Sequence, residues 1–179
     1  MDTVQEIKAL VDAKKGEFLD AADKVWSYAE LGFKEFQSAK ALTDVLKTEG
    51  FAVEEGVAGI PTAFIGSWGE GKPIIGLLGE YDALPALAHK AGDANENDEI
   101  VTANGHGCGH NLLGAGSLGA AIAVKDYMQK HGLKGTIRYY GCPGEETGSG
   151  KMFMARAGLF DDLDAAFTWH GGTQNSITV

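Results

Sequence analysis

The chain has 179 residues, 44% of them hydrophobic, enough for one packed domain with one core and short for two. Its 25 Asp and Glu outweigh 15 Lys and Arg for a formal charge of -10, a balance that repels phosphate backbones and anionic membrane surfaces and excludes nucleic acid as a partner. The start, Met1-Asp2-Thr3-Val4-Gln5-Glu6, is acidic and polar rather than signal-like, and no apolar run reaches membrane-spanning length, so a soluble, cytoplasmic protein with no membrane partner is expected.

From Thr3 to about Glu30, Val4, Ile7, Val11, Phe18, Val25 and Ala29 recur at helical spacing between charged residues, which predicts one long amphipathic helix. A second helix is predicted over Gln37 to Glu49, with Leu42, Val45 and Leu46 inward and Gly50 placed as a left-handed C-cap. Phe51 to Glu55 and Thr62 to Trp68 read as strands around a Gly-Pro turn, and Pro73 to Gly79 as a strand buried on both faces. Glu80 to His110 lacks periodicity, and its polar part, Gly92 to Glu99, reads as an exposed excursion. Leu112 to His131 reads as a helix ended by Gly132, whose small residues Gly114, Gly116 and Gly119 lower its propensity while allowing close approach to a sheet. Thr136 to Tyr140 is a predicted strand, Lys151 to Ala157 a short helix capped by Gly158, and Ala165 to Trp169 a last strand. Strand and helix alternate through the later half. The expected fold is therefore α/β, a three-layer sandwich with a largely parallel or mixed sheet.

Three polar clusters lie after these strands or in the loops between them: Glu80-Tyr81-Asp82, His106-Gly107-Cys108-Gly109-His110 and Gly144-Glu145-Glu146, with His170 directly after the last strand. Open α/β sheets gather ligands at the carboxyl ends of their strands, so the clusters could converge. Cys108 and His110 place a thiol and an imidazole two residues apart in a glycine-rich loop, which is either one side of a metal site or a buried cysteine beside surface histidines. Glu145 and Glu146 are either a solvated turn or, in an extended segment that turns them to opposite sides, one metal ligand and one proton carrier. His89 and His131 read as ordinary histidines. Cys108 and Cys142, in dissimilar contexts, are read as chemical or buried rather than disulfide-bonded. Gly114 to Gly119 matches a dinucleotide fingerprint, but a His- and Cys-bearing loop stands where a strand is required, so helix packing is the better reading. Gly144 to Lys151 resembles a phosphate loop one residue too long, with Met152 where Ser or Thr is needed.

Taken together, Gly79-Glu80-Tyr81-Asp82-Ala83-Leu84-Pro85, Gly105-His106-Gly107-Cys108-Gly109-His110-Asn111 and Cys142-Pro143-Gly144-Glu145-Glu146 closely resemble the peptidase M20 family. Within it they are most similar to the branch of aminobenzoyl-glutamate hydrolases, aminoacylases and amidohydrolases with a cysteine at the metal site. The resemblance extends from Ala29-Glu30-Leu31-Gly32-Phe33 to Trp169-His170. It implies a zinc-peptidase-like catalytic domain holding two divalent ions, zinc or manganese and also cobalt or nickel, with Cys108 shared between them and His110, Glu146 and His170 as further ligands. It implies Glu145 as general base and Asp82 as the acid supporting the metal site. His106 would contact a ligand rather than an ion, and Glu80, standing where other branches place a histidine ligand, is set aside as a ligand.

The implied activity is hydrolysis of the amide bond of a small N-acyl or N-aroyl amino acid or dipeptide, aminobenzoyl-glutamate-like, by a metal-activated water. Family members continue into a lid and dimerisation domain and form homodimers. Residues 1–179 are accordingly expected to be a truncated N-terminal part of the catalytic domain, inactive alone. The rivals are a non-catalytic metal-binding fragment and, on the glycine pattern only, a dinucleotide-binding domain.

Overall fold

The computed structural model describes residues 2–90, 103–174 and 176–178. The expected first helix is two helices, α1 (Thr3–Ala13) and α2 (Lys15–Tyr28), separated at Lys14, where φ is -114° and ψ 11°. The break is tied down by charge. Lys14 Nζ reaches Glu49 at 2.5 Å and Asp126 at 2.7 Å, and Lys125 Nζ reaches the same two carboxylates at 2.7 and 2.8 Å, so four alternating charges join the α1–α2 junction to two other helices. Val4, periodic in the sequence, is exposed because α1 buries none of its residues fully.

Helix α3 (Phe36–Thr48) starts on a carboxylate: Glu30 accepts from the Gln37 and Ser38 amides at 3.0 and 2.9 Å, satisfying two of the amides that a helix start leaves unpaired. It ends as expected at Gly50, φ +82°, where the Phe51 amide returns to the Leu46 carbonyl at 2.9 Å. Strands β1 (Ala52–Glu55), β2 (Phe64–Glu70) and β3 (Ile74–Gly79) follow, then α4 (His110–His131), β4 (Gly135–Gly141), α5 (Glu145–Gly148), α6 (Gly150–Arg156) and β5 (Ala165–Phe167). A single 3-10 turn, Val57–Gly59, occupies the connection read as a Gly-Pro turn. The excursion from Gly92 to Glu99 lies outside the described residues.

The five strands form one mixed sheet in the order β1-β2-β4-β3-β5. β3 runs parallel to β4 and β5, and β1–β2 and β2–β4 are antiparallel. One face is covered by α1 to α4 over a core of Phe18, Leu42, Phe64, Leu118, Ile122 and Tyr139; the other packs Ile65, Tyr140 and Cys142 under Met154 of α6. Ile75 and Leu77 of β3 pack against the first cluster and Leu78 against the second, which makes β3 the two-faced strand that its sequence predicts. Three layers result. The glycines of α4 are contact points: a Cβ on Gly114 would lie 2.6 Å from the Glu80 carbonyl oxygen, and one on Gly119 3.0 Å from the Phe18 ring. The dinucleotide-like pattern is thus helix packing, with no strand leading into it among the described residues.

Candidate metal centre

The chain ends of β3, β4 and β5 and the start of α4 meet at one edge of the sheet. After β3 the segment Glu80-Tyr81-Asp82 stays extended, so alternate residues share a side. Tyr81 turns into the core, stacks on Phe64 with ring centroids 5.8 Å apart, and donates its hydroxyl to the Thr62 carbonyl at 2.7 Å. Glu80 and Asp82 face the other way, toward His110 in the first turn of α4.

The loop carrying Cys108 and His110 rests on α2. His106 Nε2 lies 3.0 Å from the Val25 carbonyl, Asn111 donates to the Ala22 carbonyl at 3.4 Å, and Gly105 bridges Leu84 through paired main-chain hydrogen bonds of 2.9 Å. His106 is buried, and burial lowers its pKa, which keeps its ring neutral. Its Nε2 meets main chain, and its buried Nδ1 has no hydrogen-bond partner. After β4, Gly144 at φ +61° turns the chain into α5, and its amide donates to the buried Glu35 carboxylate at 2.7 Å; the other Glu35 oxygen accepts from Thr62 at 2.9 Å. Burial raises the pKa of Glu35 against those bonds. The segment Leu31-Gly32-Phe33 packs under this corner, with Leu31 bridging Ala83 and Phe33 against Gly144.

Glu145 and Glu146 therefore do not sit in an extended segment, as the sequence suggests, but in one helical turn where both can face the same point. Both come within 3.9 Å of His110 Nε2. What separates them is exposure: the Glu145 side chain is 40% exposed and that of Glu146 19%, and Glu146 Oε1 is buried without a hydrogen-bond partner.

His110 is fully buried at the centre of this arrangement. Its Nδ1 donates to Asp82 Oδ1 at 2.9 Å, and Asp82 Oδ2 accepts from the Glu146 amide at 2.9 Å. Burial works against ionised Asp82, but those two bonds outweigh it and its pKa is lowered, leaving an acceptor-only carboxylate. The Nδ1 proton is thereby fixed, and Nε2 offers a lone pair into a space lined by Glu80 Oε2 at 3.0 Å, Glu145 and Glu146. Glu80 Oε2, His110 Nε2 and Glu146 Oε1 are all buried with no hydrogen-bond partner; the Glu80 contact has the distance of one without the alignment. Acceptors facing one another need a cation between them, either a proton or a metal ion. Burial lowers the pKa of His110, but Asp82, Glu80 and Glu146 overcome it and raise it, the response of an imidazole in a cation-seeking site.

Cys108 Sγ lies 3.1 Å from His170 Nε2, and Cys108, His110 and His170 place their donor atoms within 4.8 Å of one another. Glu80, His110 and Glu145 form a second such group. Burial and the neighbouring Glu146, Glu145 and Glu80 push the Cys108 thiol up to about 11, so a metal ion must displace its proton to gain the thiolate. All six expected site residues, Asp82, Cys108, His110, Glu145, Glu146 and His170, are thus brought together. Sequence reasoning passed over Glu35, which anchors the turn before Glu145, and Lys151, which pairs with Glu80. His89 and His131 lie elsewhere, against Trp26 and Glu6 respectively. Both cysteines are free.

A mixed sheet between helical layers, with thiol, imidazole and carboxylate donors converging at the carboxyl ends of its parallel strands, is the build of an α/β metal-site domain. Comparison with known families places it further. The family model described as Peptidase family M20/M25/M40 matches residues 76–178, and the chain belongs to that family. It is 52% identical over 171 residues to one of the subunits of p-aminobenzoyl-glutamate hydrolase from Escherichia coli (strain K12), covering 93% of this chain and 36% of that one. It is 30% identical to a Xaa-Arg dipeptidase of Mus musculus, covering 85% and 34%. The chain thus spans about a third of the length of these relatives. Among solved structures, the aminobenzoyl-glutamate utilization protein from Klebsiella pneumoniae shares the fold with a TM-score of 0.70 at 19% identity, over 94% of this chain and 46% of that one. A dinuclear metal binding peptidase of the M20 family from Bacillus subtilis does so at 0.69 and 23% identity, over 88% and 44%.

Proposed function

We propose that this chain carries the metal-binding part of an amidohydrolase that cleaves N-acyl or N-aroyl amino acids or dipeptides, with aminobenzoyl-glutamate-like amides as the leading substrate class. The observation that carries it is the cluster of buried donors without hydrogen-bond partners around His110 Nε2, which fits a cation. The relative sharing half of its residues supports the substrate class. Cys108, His110, Glu146 and His170 would hold the ions. His110 falls in both donor groups but has one lone pair left, so it serves one ion only.

Two divalent ions, when bound, supply a water acidified toward neutrality and polarise the amide carbonyl. Glu145, the more open carboxylate, takes the proton from that water and returns it to the departing amine. Asp82 holds His110 in the tautomer that leaves Nε2 free. The donor set of sulfur, nitrogen and oxygen admits zinc, manganese, cobalt or nickel. The family resemblance carries the expectation of a lid that orients the substrate and of a homodimer. The Escherichia coli relative is named as one subunit of its hydrolase, which favours a mixed assembly as the second reading. No described helix is long and apolar enough to cross a membrane, and the free thiols fit the cytoplasmic location expected from the sequence.

Metal analysis after dialysis tests the centre. Cys108→Ser and His110→Ala should each lower bound zinc or manganese substantially, because thiolate and neutral imidazole supply the bonds. Unchanged stoichiometry and affinity in both variants would refute the assignment.

A further inference from the structure

Glu35 is a buried acid that the proposed chemistry does not use. It is fully buried, and both of its oxygens are occupied: Oε1 accepts from the Gly144 amide at 2.7 Å and Oε2 from the Thr62 hydroxyl at 2.9 Å. Thr62 in turn receives the Tyr81 hydroxyl on its carbonyl at 2.7 Å. Tyr81 stands between Glu80 and Asp82, so a line of bonds runs from the segment after β3, through Thr62 and Glu35, to the amide that opens α5. The stretch leading into Glu35 touches the same two places. The Ala83 amide, directly after Asp82, donates to the Glu30 carbonyl at 2.8 Å. On the other side, a Cβ on Gly144 would lie 2.8 Å from the Phe33 ring and one on Gly148 3.3 Å from it. Phe33 takes this position at φ +62°, a left-handed conformation that a bulky side chain rarely adopts and that surrounding contacts must hold. Gly32 lies against the turn as well: a Cβ there would stand 2.9 Å from the Gly144 Cα.

We infer that Glu35 is a positioning residue of the metal centre: through the Gly144 amide it fixes where the turn carrying Glu145 and Glu146 stands relative to Asp82 and His110. That role rests on the reading of Glu146 as a metal ligand. The turn cannot place its carboxylates by itself, because α5 is a single turn of four residues and Gly144, its N-cap, has no side chain to cap it. Two buried carboxylates hold its amides from outside, Glu35 that of Gly144 and Asp82 that of Glu146. Asp82 also holds His110, so the 3.9 Å between Glu146 Oε1 and His110 Nε2 is set by a frame with Asp82 at one corner and Glu35 at another. Burying a carboxylate is costly where an apolar side chain would fill the space. What Glu35 gains over such a side chain is two directed bonds, one of them to the turn.

A double-mutant cycle on the full chain separates positioning from support of the fold. The probe is manganese or zinc alone, titrated by calorimetry, with urea unfolding of each variant measured beside it. Glu35→Leu keeps much of the bulk and removes both acceptors, and it should weaken metal binding by roughly tenfold or more, the scale on which groups behind a ligand act. Glu35→Gln should restore most of the affinity, since its amide oxygen still accepts from Gly144 and its NH2 can donate to the Thr62 hydroxyl. In a Glu146→Gln background the same Glu35→Leu change should cost less than about twofold, because the ligand that it places is already gone. An unchanged affinity in folded Glu35→Leu, or an equal loss with and without Glu146, would make Glu35 a support of the fold only and overturn the inference while the centre stands. Should Glu35→Leu fail to fold, Thr62→Val, which leaves the Gly144 bond to hold Glu35 alone, goes through the same cycle and should show the same dependence on Glu146. If Glu146→Gln by itself leaves the titration unmoved, Glu146 is no ligand and Glu35 has nothing to position, while Cys108, His110 and His170 keep their roles. If the unaltered chain, folded, binds neither metal, the whole centre falls.

Discussion

Asp82 divides its carboxylate between a side chain and a main chain, with one oxygen on His110 and the other on the amide of Glu146. A single buried acid thus sets both the tautomer of one proposed ligand and the position of another. Asp82 was singled out from its motif, and the structure places it against His110, whereas the conformation of Glu145 and Glu146 was not legible: four residues of helix entered through a left-handed Gly144 are too short to show periodicity. In a helical turn, consecutive carboxylates can face one ion together, so exposure rather than direction distinguishes them. From this, Glu145→Gln in the longer protein should retain metal while turnover falls by about a hundredfold or more, and Glu146→Gln should weaken metal binding. Metal content and turnover measured on the same preparations check it; the reverse pattern means the two roles are exchanged.

Among elements, the break between α1 and α2 is the largest departure from the sequence pattern. The apolar spacing continues across it, so periodicity could not reveal a join made by Lys14 reaching Glu49 and Asp126, residues 35 and 112 positions further along. Lys125 is buried at the same junction and adds a bond to the Glu49 carbonyl at 3.1 Å. Replacing it by Met leaves two carboxylates facing Lys14 alone and should cost about 1–3 kcal/mol, the scale of hydrogen bonds to charged groups. The pH dependence has a definite sign. Burial opposes ionisation of Glu49 and Asp126, but bonds from Lys125 and Lys14 outweigh it and lower both from ordinary values of 4.5 and 3.8. Lowered folded-state values mean that the stabilisation is complete above the ordinary values and lost as pH falls through the lowered ones. Urea unfolding should therefore show a full gap between the unaltered chain and Lys125→Met at pH 7 that narrows below about pH 4. A gap independent of pH would show that packing, not charge, holds the junction.

At the scale of the whole molecule, the α/β class and the convergence of separate motifs were readable because apolar runs mark the strands, and the Glu80 and Glu145 clusters and His170 each come shortly after one. Strand order was not, since hydrophobic runs do not name their neighbours: β4 lies between β2 and β3, pairing antiparallel with one and parallel with the other. The chain covers about a third of its curated relatives, so the surface that orients a substrate is expected to come largely from outside it. Incubated alone with zinc or manganese and a panel of N-acyl amino acids including aminobenzoyl-glutamate, it should show no turnover above the metal blank. Robust hydrolysis that vanishes in Glu145→Gln would mean that these residues already form a complete catalyst.

Gly114 gives the centre its gauge. His110 rides at the head of α4 and Glu80 follows β3, and the helix and the strand end are in contact where the Glu80 carbonyl meets the bare Cα of Gly114. Donors to an ion tolerate displacements of only about 0.2 Å. The spacing between helix head and strand end is therefore set by a hydrogen atom on Gly114, and a single methyl group there would act on the proposed site as a wedge driven in from behind.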